Sequence, residues 1–182
     1  QFALAVVCPR AGNLGGGGFW MYAPIGDQVR ALDYREEAPS AATRDMYLTS
    51  EGEVHPTKSL EGPLAAGIPG QVDGLWMAYT LGSKQKDWKA LLQPAIILAE
   101  EGFRISVTEA NRLNRFQEAF KRQNDFPFPF VKDTPWVAGD LLQQTQLAKT
   151  LRGIAEEGPG YFYDSGFAKA LAEEIRNRGG IW

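Results

Sequence analysis

The 182-residue sequence predicts an α+β fold, and three observations carry that prediction. Two short runs rich in aromatic and β-branched residues flank a turn-like Ile25-Gly26-Asp27 near the start of the chain. About five later stretches repeat apolar residues at helical spacing, with capping residues at their ends. No convincing strand follows the first two. One hairpin is too little sheet for so many helices. The sequence therefore also predicts that residues 1–182 are a single segment of a longer protein whose remaining chain completes the sheet.

Each element follows from its residues in order. Phe2 to Val7 form an apolar run whose Ala-Leu-Ala content favours helix over strand, and Pro9, Gly12 and Asn13 stop it. Four glycines, Gly15 to Gly18, lead into "FWMYAP" and "QVRALDYRE", the two predicted strands. Val29, Leu32 and Tyr34 do not alternate, which predicts burial on both faces. Residues 50 to 69 form a long polar connection broken by Gly and Pro. Pro69 suits the first turn of a helix running to Leu81, with Val72, Leu75, Trp76 and Tyr79 on one face and Gly82 as its stop.

In "DWKALLQPAIILAEEG", Leu91, Leu92, Ala95, Ile96 and Ala99 make the apolar stripe, Asp87 is a candidate N-cap and Gly102 the terminator. Pro94 is expected to kink that helix or shorten its first part. Ser106 and Glu109 have capping-box spacing ahead of Leu113, Phe116 and Phe120, and "NDFPFPF" breaks the helix. Asp140 and Gln143 stand in the same relation ahead of Leu147, Leu151 and Ile154. The last helix starts at Ser165, buries Phe167, Leu171 and Ile175, and ends at Gly179. Beyond it Ile181 and Trp182 dangle.

Composition narrows the function. A formal charge of -3 with interspersed signs gives no basic footprint for nucleic acid. One cysteine, Cys8, excludes an internal disulfide and a Cys-based zinc site, and one histidine, His55, leaves no second imidazole for a metal pair. No apolar run reaches the roughly 18 residues of a membrane span.

The glycine run lacks the Lys-Ser/Thr of a phosphate loop and precedes a strand where such loops precede a helix. A backbone crossing, or a turn with positive φ, is the stronger reading. "LDYREEAPSAATRDMY" is denser in chemistry, with Asp33, Arg35, Glu36 and Glu37 where a strand passes into a loop and Arg44 with Asp45 soon after. Arg35 suits bidentate capture of a carboxylate. An ion pair with Asp33, Glu36 or Asp45 is the structural alternative. His55, alone in a loop, receives no role. Trp20, Trp76, Trp88 and Trp136 read as core or interface aromatics.

In "FALAVVCPRAGNLGGGGF", "LDYREEAPSAATRDMY", "SLEGPLAAGIPGQVDGL", "LLQPAIILAEEGF", "VAGDLLQQTQLAKTLRGIAEEGPGYFY" and "RNRGG", the chain resembles the large-subunit segment of the gamma-glutamyltranspeptidases from end to end. The resemblance implies part of a four-layer αββα N-terminal-nucleophile hydrolase, made as a precursor that cleaves itself into large and small subunits. It implies γ-glutamyl transfer from glutathione or similar donors to water, an amino acid or a peptide. A threonine at the head of the small subunit would be nucleophile and, through its α-amino group, its own base.

No metal or organic cofactor is implied, and no catalytic residue falls in this segment. The one substrate-binding position carried over is Arg35, which matches the arginine of the family's D-[FY]-R-E motif and would bind the donor's α-carboxylate. Partners implied are the small subunit, the γ-glutamyl donor, and an acceptor or water. Family habit implies a periplasmic or extracellular address. Acylases and poly-γ-glutamate-processing relatives share the architecture, and a non-catalytic homologue serving as a binding module stands as the alternative from another class.

Overall fold

The computed structural model describes residues 1–22 and 28–182, so the predicted turn at Ile25-Gly26-Asp27, with Ala23 and Pro24, lies outside the described residues. The chain divides into two compact units, Gln1–Gly12 with Lys89–Ala155, and Asn13–Trp88 with Glu156–Trp182.

The first unit opens on helix α1 (Phe2–Val7), followed by a single turn, α2 (Pro9–Gly12), where the sequence predicted only a stop. Proline is tolerated at a first helical position because its missing N–H has no partner there anyway. Its other helices belong to α4 (Trp88–Glu101), α5 (Val107–Gln123) and α6 (Thr145–Glu157). Along α4 the stripe Leu92, Ala95, Ile96 and Ala99 is buried, whereas Leu91 is exposed, and the helix runs on through Pro94. Gly102, at φ +84°, takes the left-handed conformation that ends α4.

Two strands that the sequence did not predict follow from that reversal. Strand β3 (Phe103–Arg104) pairs antiparallel with β4 (Leu141–Leu142), two residues each. Runs so short have no readable period. They also displace the predicted start of α6: Asp140 is not its cap. The Asp140 carboxylate accepts from Lys132 Nζ at 2.5 Å and from Val137 N at 2.9 Å, and the helix begins at Thr145.

Ser106 does cap α5, its Oγ accepting from Glu109 N at 3.1 Å. Leu113 is buried with Ile105, Ala110, Trp136 and Leu142, and Phe120 packs against them, but Phe116 is exposed. Asn114 holds Trp136 by both backbone groups, donating to its carbonyl at 2.9 Å and accepting from its N–H at 2.7 Å. The buried Gln144 amide donates to Val6 O at 2.8 Å and ties α1 to this unit.

The second unit holds the predicted hairpin, β1 (Phe19–Tyr22) antiparallel to β2 (Arg30–Asp33) with Phe19 opposite Asp33. Burial on both faces does not occur: Arg30, Ala31 and Asp33 are exposed and Leu32 is half-buried. Two strands alone cannot sandwich a face. Helix α3 (Gln71–Gly82) has Gly70 as its N-cap, so Pro69 lies outside the first turn. Gly70 N and Gln71 N both donate to Gly16 O, at 3.1 and 2.9 Å, and this seat sets where the helix begins.

Trp76 meets the buried Trp88 edge-on at 4.9 Å. Gly158 at φ +68° and Pro159 start a separate short helix, α7 (Pro159–Tyr163), to which the sequence analysis assigned no element. Helix α8 (Gly166–Asn177) is capped by Ser165 as expected and closed by Gly179 at φ +92°. Phe167, Leu171 and Ile175 are half-buried there. Trp182 does not dangle, since its indole N–H donates to Ala66 O at 2.9 Å.

Candidate substrate-binding site

The site forms where β2 runs out. Asp33 Oδ1 accepts from Arg35 N at 3.0 Å, an Asx-type turn that redirects the chain just past the strand. Tyr34 extends the ladder by one step, its N–H donating to Gly18 O at 2.9 Å and its carbonyl accepting from Gly18 N at 3.2 Å.

Glycines enclose this turn. A Cβ at Gly17 would strike the Tyr34 carbonyl oxygen and lie 2.7 Å from Arg35 Cα. One at Gly18 would lie 3.0 Å from the Tyr34 ring. From α3, a Cβ at Gly70 would collide with the Tyr34 carbonyl and lie 3.0 Å from Arg35 O, and one at Gly74 would strike the Tyr34 ring. None of Gly15 to Gly18 has positive φ. Close approach of backbone, rather than a left-handed turn, explains the run.

A cavity of about 470 Å³ opens beside the turn, lined by Asp33, Tyr34, Arg35 and Glu37, by Pro69, Gly70, Asp73 and Gly74 of the α3 start, and by Tyr163 and Asp164 among others. Arg35 is the one cation among its described lining residues, facing four carboxylates. Its side chain is 70% exposed, and its Nε lies 3.2 Å from Glu36 Oε2. The structural alternative foreseen for Arg35 is thus present in part. It leaves the ligand reading intact, because an exposed pair is worth about 0–1 kcal/mol. Among the described residues nothing bonds its Nη atoms, which form the fork suited to a carboxylate.

The other sequence candidates are not brought together here. Arg44 and Asp45 pair at 3.8 Å with both side chains largely in solvent, and neither lines the cavity. His55 Nδ1 accepts from Thr57 N and Lys58 N at 3.3 Å each, a local turn contact.

Tyr163 is the lining residue that the sequence reading missed. Its hydroxyl donates to Pro69 O at 2.9 Å and accepts from Asp73 N at 3.3 Å. Burial, and to a lesser degree the charge of Asp73, push its phenol above the ordinary tyrosine value. The only local signal was "EGPGYFY", whose Gly-Pro marks a helix start without saying which aromatic faces a site.

A family model described as Gamma-glutamyltranspeptidase matches residues 1–182, the whole chain. The chain belongs to the gamma-glutamyltranspeptidase family. The glutathione hydrolase proenzyme of Escherichia coli strain K12 is 40% identical over 182 residues, which is 99% of this chain and 31% of that protein. The chain therefore spans about a third of the length of such relatives.

Among solved structures, the gamma-glutamyltranspeptidase of Helicobacter pylori superposes with a TM-score of 0.89 at 40% identity, covering 99% of this chain and 52% of that one. The gamma-glutamyltranspeptidase of Pseudomonas nitroreducens, solved in complex with L-DON, gives 0.89 at 42% identity with the same coverage. The α+β architecture described above is thus that of one half of a solved gamma-glutamyltranspeptidase chain. Among the described residues no helix is long and apolar enough to cross a membrane.

Proposed function

We propose that the protein containing this chain transfers or hydrolyses the γ-glutamyl group of glutathione or a related amide, and that Arg35 clamps the donor's α-carboxylate. The observation that carries the reading is the Arg35 fork, unengaged among the described residues, at the mouth of a cavity in a chain 40% identical to glutathione hydrolases. The cavity's carboxylates repel an anion, so Arg35 is the group that makes carboxylate binding possible. Its planar fork also fixes orientation, holding the γ-carbonyl at a set distance from the point of attack.

The nucleophile of this reading is a small-subunit threonine activated by its own α-amino group. Attack on the γ-amide breaks its C–N bond, the donor's amine leaves with the proton taken from the threonine hydroxyl, and the γ-glutamyl ester so formed passes to water or an acceptor amine. That similar proteins are named proenzymes supports a parent made as a precursor that contains a second subunit. Export to a periplasm or cell surface belongs to the same reading.

The test is Arg35→Ala in the full-length protein with a γ-glutamyl anilide. Truncating one partner of a desolvated charge pair costs roughly 2–5 kcal/mol, so donor KM should rise by more than about tenfold. Unchanged donor kinetics would defeat the assignment.

A further inference from the structure

We propose that Tyr163 is a positioning residue for Arg35, acting through the start of α3. The inference rests on the carboxylate-clamp reading above and adds to it a residue with no role in that reading.

The first N–H groups of a helix have no partner within it. In α3 they are met from two sides. Gly16 O takes Gly70 N and Gln71 N, while the Tyr163 hydroxyl takes Asp73 N and donates its own proton to Pro69 O. One phenol thus bonds both flanks of Gly70, the residue whose backbone presses on the Tyr34–Arg35 peptide.

Glycine at position 70 lets the backbone at the start of α3 meet that peptide directly, while Gly74 packs against the Tyr34 ring. A shift of the helix start therefore passes straight to the Arg35 backbone, with no flexible group to absorb it. A two-point guanidinium contact tolerates little such shift. Tyr163 lines the cavity and is half-buried, and loss of its hydroxyl would leave Pro69 O and Asp73 N short of a partner.

The experiment is steady-state kinetics of the processed full-length Tyr163→Phe protein on two donors, a γ-glutamyl anilide and a 4-aminobutyryl anilide, which lacks the α-carboxylate. The expected result is a rise of about five- to tenfold in KM for the first, with its kcat and the kcat/KM of the second within about twofold. A KM that stays put, or equal losses on both donors, would overturn the proposal, the latter marking a general structural role.

Arg35→Ala runs alongside. If it raises KM and Tyr163→Phe does not, the positioning role alone fails. If it too leaves KM unchanged, the clamp reading fails and takes this one with it. Should Tyr163→Phe not mature, 3,5-difluorotyrosine at position 163 keeps the hydroxyl but acidifies it. Donor KM should then climb with pH in the fluorinated protein at lower pH than in the parent, and parallel profiles would count against the role.

Discussion

At the residue scale the glycine run sorts into positions with different duties. A Cβ at Gly15 would meet only Asn13 Oδ1, at 3.3 Å, whereas at Gly17 it would meet backbone that cannot swing aside. Gly17→Ala should cost about 1–3 kcal/mol or more through overpacking, while Gly15→Ala should stay within about 0.5 kcal/mol. Thermal unfolding of the two variants checks this, and equal midpoints would refute the packing account. The place of Arg35 just past a strand end was legible in the sequence because it sits in a compact charged motif. Tyr163 was not, because its partners lie some ninety residues away.

Asp140 gives a second residue-scale prediction. Lys132 and the Val137 N–H favour its ionised form, so its carboxyl titrates below the ordinary value of 3.8. A carboxylate with a depressed native pKa stabilises the fold fully above its unfolded value and loses that contribution as pH falls through the depressed one. The chain should therefore lose stability below about pH 4, and Asp140→Asn should flatten that part of the acid unfolding curve. An unchanged slope in the variant would assign the acid sensitivity to other groups.

At the element scale, what could be read was what local chemistry decides. Ser106 and Ser165 cap their helices where the sequence placed them, and Gly102 and Gly179 close theirs with positive φ. Ser106→Ala should cost about 1 kcal/mol, the usual worth of such a cap, measurable as a lower denaturant midpoint with an unchanged slope. Misreadings arose where a distant partner overrode a local signal. Lys132 took the Asp140 side chain that spacing had assigned to a helix, and Gly16 set the start of α3 at Gln71, two residues beyond Pro69. The two-residue strands β3 and β4 exist only as partners of each other, which no pattern within either could announce.

At the scale of the whole molecule, the burial on both faces expected of the second strand is not met among the described residues. Phe19 and Met21 alternate along one face of β1 and are 58% and 65% exposed, while Trp20 and Tyr22 stack at 5.3 Å on the other. A short sheet with exposed edges and large apolar side chains on one face favours association. The chain spans 52% of the solved relatives' chains. Expressed alone, the 182-residue chain should scatter light as species heavier than 20.1 kDa, with mass rising with concentration. Replacing both Phe19 and Met21 by Lys should lower that mass, because charge on a β face discourages pairing and stacking. A dilute monomer of 20.1 kDa that holds its mass over a tenfold concentration range would show that this face needs no cover.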